Sequence, residues 1–235
     1  MEERKPRGFT SRMTTLERAA ALGYIPVHVY LLPKLLGALP FLRALDTATL
    51  NAIYYAVGTA FMLIFLWRFL RREFDALCDY GPAALLEIAK AYGTLLLCNL
   101  VINLALLAIE HTDNPNNAAI FSMAGENLSR TAAIAVFLAP LVEEPMFRGG
   151  VFGLVRKYSR AAAYGASMLL FAVYHVWSFA AQDPTAWLYV LQYLPAGFLL
   201  ARVYEKTDSI WTGIFLHMTV NGVSMLIVSA LGAYL

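Results

Sequence analysis

The chain has 235 residues, of which 60% belong to the set AVILMFWYC and only 14% are charged, against roughly 25% charged in an ordinary soluble domain. Its mean hydropathy is +0.59, and 18 Lys and Arg against 16 Asp and Glu leave a net charge of +2. Such a chain is too apolar to stay disordered and lacks the concentrated basic surface of a nucleic-acid binder, so the expected class is an all-α polytopic membrane helix bundle.

A spanning helix needs roughly 20 mostly apolar residues. About seven candidate transmembrane helices follow in order: 19–42, 48–67, 86–109, 131–147, 160–181, 185–203 and 209–234. The first is interrupted by Pro26, Pro33, Lys34 and Pro40, which predicts a kink or a partly interfacial course. It is not read as a cleaved signal peptide, because eighteen residues precede it and no small-x-small site follows. The fourth is short as an apolar run and ends in Glu143 and Glu144. The Asn-rich stretch 111–130 reads as an outside loop with an interfacial turn. No repeat or linker divides the chain, so 1–235 is expected to be a single membrane domain. Cys78 and Cys98 make neither a disulfide framework nor a zinc spacing, and Cys98 is expected to be a buried thiol.

Lys and Arg in the connections set the orientation. Arg4, Lys5, Arg7, Arg12 and Arg18 mark residues 1–18 as a basic cytoplasmic segment. Arg68, Arg71 and Arg72, then Arg156, Lys157 and Arg160, then Arg202 and Lys206 mark the later inside connections, with Lys90 at the edge of the third span. The alternate connections hold little positive charge. Seven crossings with the N-terminus cytoplasmic and the C-terminus on the opposite side reproduce this alternation.

Ionisable residues inside a bilayer cost about 2.5–3.5 kcal/mol each on insertion scales, so those that remain are candidates for function. Span four ends with Glu143, Glu144 and Arg148, span five holds His175, and span seven holds His217 and Asn221. For an antiparallel hairpin turning at Tyr158–Ser159, Glu143 and His175 lie at one height, about 22–26 Å from the turn at about 1.5 Å per residue. His217 falls in the same half, and part of the hairpin is expected to project into the cytoplasm with Arg148. The predicted polar layer therefore opens toward the cytoplasm.

The pairs Glu144/Arg148, Phe171/His175 and His217/Asn221 have the i, i+4 spacing that shares a helix face. They predict an ion pair, a ring packed on an imidazole, and two donors aimed at one point. Glu143 lies about 100° round from Glu144, free for another role. Pro145 lacks an N–H and should bend the helix, freeing the Leu141 carbonyl. Gly149 and Gly150 should admit a neighbouring helix. Aromatic residues Phe147, Tyr174 and Trp177 read as packing.

These groups suit hydrolysis. A carboxylate and an imidazole can hold and deprotonate a water, while a second imidazole and an amide stabilise an oxyanion. Glu143, His175 and His217 would also make a zinc set with an open position. Sequence does not choose between the two, although the three-helix origin and the lack of an HExxH pair favour a reaction without a metal cofactor.

Together Glu143-Glu144-Pro145-Met146-Phe147-Arg148, Phe171-Ala172-Val173-Tyr174-His175 and His217-Met218-Thr219-Val220-Asn221 resemble the EExxxR, FxxxH and HxxxN signature of the CAAX protease and bacteriocin-processing family of intramembrane endopeptidases, also called the Abi family. The resemblance covers roughly 130–225. It implies cleavage of a peptide bond near the cytoplasmic membrane surface in a membrane-associated peptide or protein. It also implies that Glu143 and His175 activate water, that His217 and Asn221 surround the oxyanion, and that Glu144 and Arg148 organise the site. An idle membrane scaffold and a proton-coupled transporter are the other readings. The first is disfavoured by complete motifs, the second by the lack of an inverted repeat.

Overall fold

The computed structural model describes residues 8–232, which leaves Arg4, Lys5 and Arg7 outside the described residues. The described residues are helical and contain no strand. Nine helices follow in order: α1 Thr15–Ala38, α2 Thr47–Phe65, α3 Trp67–Tyr80, α4 Ala83–Ala108, α5 Pro115–Ala133, α6 over 134–155, α7 Arg160–Ala180, α8 Val190–Thr207 and α9 Ile210–Gly232. Six stretches are long and apolar enough to cross a membrane: α1, α2, α4, α7, the run Pro184–Thr207 that contains α8, and α9 through Ala230. The protein is thus an all-α polytopic bundle.

Local chemistry explains the departures from ideal helix. Thr14 caps α1 in a reciprocal capping box with Glu17. Pro26, Pro140 and Pro145 each lack an N–H: Pro26 precedes the wider π-turn Val27–Leu31, Pro140 lies two residues beyond the one over Ile134–Leu138, and Pro145 opens the one over Pro145–Phe152. The first apolar segment is accordingly a continuous helix to Ala38, with only Pro40–Leu42 as a separate short turn. The expected outside loop is instead largely α5. Asn114 accepts from the N–H groups of Asn116 and Asn117, and Pro115 occupies the first turn, a helix start that the Asn-rich composition conceals. Asn127 breaks the helical dihedrals of α5 at φ −159°.

Apolar side chains facing outward, such as Leu97, Val101, Leu104 on α4 and Leu226 on α9, are exposed as a lipid-facing surface requires. α6 is different. Every residue from Val142 to Gly153 is buried, so this helix is the axis round which the others pack. Gly150 lets α1 approach, because a Cβ there would meet Leu22 at 3.2 Å. Gly197 on α8 does the same for α7, whose Met168 backbone lies 3.0 Å from the position of a Cβ.

The charged connections are built structure. Arg156 and Arg160 both donate to Glu205, and Lys206 pairs with Glu87 at 2.7 Å. The connection carrying Arg68, Arg71 and Arg72 is an amphipathic helix, α3, which buries Phe69, Leu70 and Glu73. Cys98 is half-buried and Cys78 exposed.

Candidate active site

The centre of the bundle gathers the three motifs. Glu143 is 2% exposed on α6. Its Oε2 lies 3.8 Å from His175 Nε2 on α7 and 4.0 Å from His217 Nε2 on α9. Both separations are too long for a direct hydrogen bond and suit groups that share a third polar atom. That Oε2 is buried with no hydrogen-bond partner, an arrangement that is costly in a core unless function requires it.

Each imidazole is oriented from behind. His175 Nδ1 is 2.8 Å from the Phe171 carbonyl, which can only accept, so Nδ1 carries the proton and Nε2 presents a lone pair toward Glu143. The Phe171 ring packs on His175 at 4.5 Å between centroids, and Tyr193 stacks on it at 4.6 Å. His217 Nδ1 is 2.9 Å from Glu144 Oε1, and the same oxygen accepts from Arg148 Nη1 at 3.2 Å. Arg148 also donates to the Gly197 carbonyl and lies 4.3 Å over the Phe171 ring. The i, i+4 ion pair expected from sequence is therefore present, and it continues to His217.

Two of the expected residues have surroundings that the sequence did not indicate. Arg148 does not sit at a solvated helix end. It is fully buried, with Glu144 and Gly197 accepting from Nη1 and Nη2 and the Phe171 ring beneath it, while Nε has no partner. Asn221 borders the cavity, but its Nδ2 donates to the Ala135 carbonyl at 2.7 Å, inside the π-turn of α6. One amide N–H therefore remains for another partner.

Sequence reasoning missed the residues that hold Glu143 on its other side. Tyr55 on α2 donates to Glu143 Oε1 at 3.1 Å and shares a hydrogen bond with Tyr174, also 3.1 Å. Tyr174 reaches His28 Nε2 at 3.3 Å, and Tyr54 donates to the His28 carbonyl. A tyrosine in an apolar helix carries no periodic signal that separates this role from packing.

A chamber of about 1360 Å³ borders Glu143, His175, His217 and Asn221. From Glu143 it runs past Asn51, Asn99 and Asn103 to Thr112 and Asn114, and on α8 it reaches Leu199 and Leu200. On the other side Met146, Phe147, Phe152, Phe69 and Tyr204 are buried in one apolar cluster. Among the described residues, no three His, Cys, Asp or Glu side chains are spaced to hold a metal ion.

Residues 126–223 match the family model described as type II CAAX prenyl endopeptidase, Rce1-like. No curated protein and no solved structure matches the chain. The matched stretch contains all three motifs and the helices that carry them. Over this segment the chain, an integral multi-pass membrane protein, is similar to the CAAX protease and bacteriocin-processing family of membrane proteases.

Proposed function

We propose that the protein is an intramembrane endopeptidase that hydrolyses a peptide bond with a water activated by Glu143 and His175, and with no resident metal. One observation carries the reading: the partnerless, buried Oε2 of Glu143 faces two imidazole nitrogens at 3.8 and 4.0 Å on the border of a large chamber. The α6 stretch counts as a seventh crossing in this reading, with the basic connections cytoplasmic.

In the proposed reaction, Glu143 Oε2 and His175 Nε2 hold the water, and one of them takes its proton as the oxygen bonds to the peptide carbonyl carbon. The displaced π pair makes an oxyanion, which accepts from the His217 imidazole and from the remaining amide N–H of Asn221. Collapse breaks the C–N bond, and the proton taken from water goes to the leaving amine. Glu144 and Arg148 act through His217 by fixing its ring, so they are positioning residues. Tyr55 plays the same part for Glu143.

The test is cleavage of a peptide library that includes prenylated CAAX tails, using purified protein in detergent or liposomes. Wild type should cleave, and Glu143→Ala and His175→Ala should not, while all three elute as folded protein. Chelator should leave the rate unchanged; a loss restored by zinc would replace the metal-free reading with the zinc one. A membrane scaffold would instead keep its cellular effect in Glu143→Ala.

A further inference from the structure

His28 belongs to none of the three motifs, yet it has no exposed surface and sits in the π-turn Val27–Leu31 of α1. The Leu32 N–H goes to the Val27 carbonyl, and Pro33 has no N–H to give the His28 carbonyl. The Tyr54 hydroxyl donates to that carbonyl at 2.9 Å, and the Tyr54 ring stacks on the imidazole at 4.3 Å between centroids. The imidazole is thereby fixed from α2, with Nε2 3.3 Å from the Tyr174 hydroxyl. Tyr174 is in turn 3.1 Å from Tyr55, and Tyr55 is 3.1 Å from Glu143 Oε1. A continuous line of polar atoms joins α1 to α6.

Counting hydrogens fixes the direction of every bond in that line, because a phenol has a single O–H. Tyr55 gives its hydrogen to the Glu143 carboxylate, so its bond with Tyr174 forms only if Tyr174 donates. Tyr174 has then given its own hydrogen, so its bond with His28 forms only if Nε2 carries one. His28 Nδ1 agrees, being buried with no hydrogen-bond partner, a place that suits a bare lone pair better than an N–H. The opposite tautomer would bury an unsatisfied N–H and break the line at one of the two phenols. We infer that His28 is a positioning residue for Glu143, its Nε2–H heading a chain of donors through Tyr174 and Tyr55 that all point at Oε1. The inference rests on the peptidase reading above and extends its machinery to the first helix, outside the matched residues 126–223. Aligned hydrogen bonds polarise one another, so the first donor is felt at the last acceptor. With Oε1 held in this way, Oε2 stays turned toward His175 and His217. His175 has the opposite tautomer, its hydrogen on Nδ1 against the Phe171 carbonyl. The two histidines therefore serve the two oxygens of one carboxylate, His28 behind the phenols and His175 in front.

The test combines cleavage kinetics, on the library peptide that wild type cuts fastest, with nitrogen NMR of the full-length protein in detergent. His28→Phe keeps a stacked ring and removes the donor, so kcat should fall about three- to tenfold at unchanged KM. His28→Gln returns an amide N–H to the place of Nε2 and should regain the wild-type kcat to within about twofold. In a Tyr174→Phe background the line is already cut, so His28→Phe should lower kcat by less than about 1.5-fold further. With isotope-labelled histidine, the ring signals that vanish in His28→Phe should show the hydrogen on Nε2. Those that vanish in His175→Ala should show it on Nδ1. An equal loss in the Phe and Gln variants, or an additive loss with Tyr174→Phe, would make His28 a packing residue. A wild-type kcat in His28→Phe, or a hydrogen on Nδ1 of His28, also overturns the inference. Where His28→Phe does not elute as folded protein, His28→Gln supplies the NMR assignment and the tautomer decides. If wild type itself cleaves nothing, the peptidase reading fails, and the NMR alone then decides the direction of the chain.

Discussion

Two carboxyl groups are buried on opposite sides of the apolar cluster of Met146, Phe152, Phe69 and Tyr204, and the bundle treats them differently. Glu73 on α3 has no exposed surface, and both of its oxygens are engaged. Oε2 accepts from the Ile210 N–H at 2.8 Å, and Oε1 faces Arg12 Nη1 at 3.5 Å. Arg12 in turn holds Asp208 at 2.6 Å, and Ser209 Oγ donates to the Glu73 carbonyl. This cluster ties the segment before α1 to α3 and to the turn between α8 and α9. Glu143, equally buried, leaves Oε2 without a partner. A buried carboxylate that spends all its hydrogen bonds within the protein builds structure. One that keeps an oxygen free beside two imidazoles and a chamber retains capacity for chemistry. The basic half of the molecule is therefore a packed anchor, and the other half is built round an open volume.

The strongest way to break this contrast is to remove the free carboxylate. Glu143→Gln keeps the volume and the Tyr55 contact but removes the base, so cleavage should fall about 10³-fold or more, within the range for a positioned acid–base group. Its thermal unfolding should match wild type. If it lost stability instead, Glu143 would belong with Glu73 as structure. Next comes the Glu144–Arg148 pair. Glu144→Gln leaves a guanidinium buried without its counter-charge and should cost about 3–5 kcal/mol, visible as a fall in Tm in detergent. The double variant Glu144→Gln with Arg148→Met should recover much of that Tm but not the activity, because a neutral amide then stands where His217 Nδ1 met a carboxylate.

Much of this architecture could be read from the chain, and the limits are physical. Hydropathy and charge alternation predicted helices and their order, because a bilayer imposes both on the sequence. The i, i+4 pairs predicted the Glu144–Arg148 ion pair and the Phe171–His175 contact, because helical geometry alone places them. Height along a helix was also legible, which is why Glu143, His175 and His217 could be assigned to one layer. Lateral neighbours were not. Nothing in the one-dimensional pattern distinguishes Tyr55 beside Glu143 from any other tyrosine in an apolar helix. Nor does it say which side of a polar layer is filled, and that depended on Met13 and Phe69 packing against Gly149. Arg12 counted as an orientation signal by its charge, while its bond to Asp208 joins residues far apart in the chain.

A finer test concerns Tyr55. Tyr55→Phe removes one hydrogen bond to the carboxylate and leaves packing intact. Hydrogen bonds to charged groups are worth about 1.5–3 kcal/mol, so kcat should fall by a factor on the order of 10 to 100 with KM unchanged. A rise in KM alone would make Tyr55 a wall residue of the chamber, and a fall in Tm alone would make it packing.

The smallest effect lies in the anchor and concerns protons. Burial is the largest influence on Glu73 and raises its carboxyl from 4.5 to about 7, against the opposing pull of the Ile210 N–H and Arg12. The native state thus binds a proton more tightly than the unfolded chain does. The associated stability is complete below about pH 4.5 and is lost as pH rises through about 7. Thermal unfolding in detergent at pH 5, 6, 7 and 8 should show Tm falling by a few degrees in wild type relative to Glu73→Gln, which cannot titrate there. Cleavage measured at one pH should differ by less than about twofold between the two, because the anchor does not touch the chamber. A Tm difference that grows in the opposite direction would mean that pairing with Arg12 outweighs burial and that the ionised carboxylate is the form holding α3 against α9. A large loss of cleavage would break the division itself, since a proton on the packed side would then be felt across the apolar cluster at Glu143.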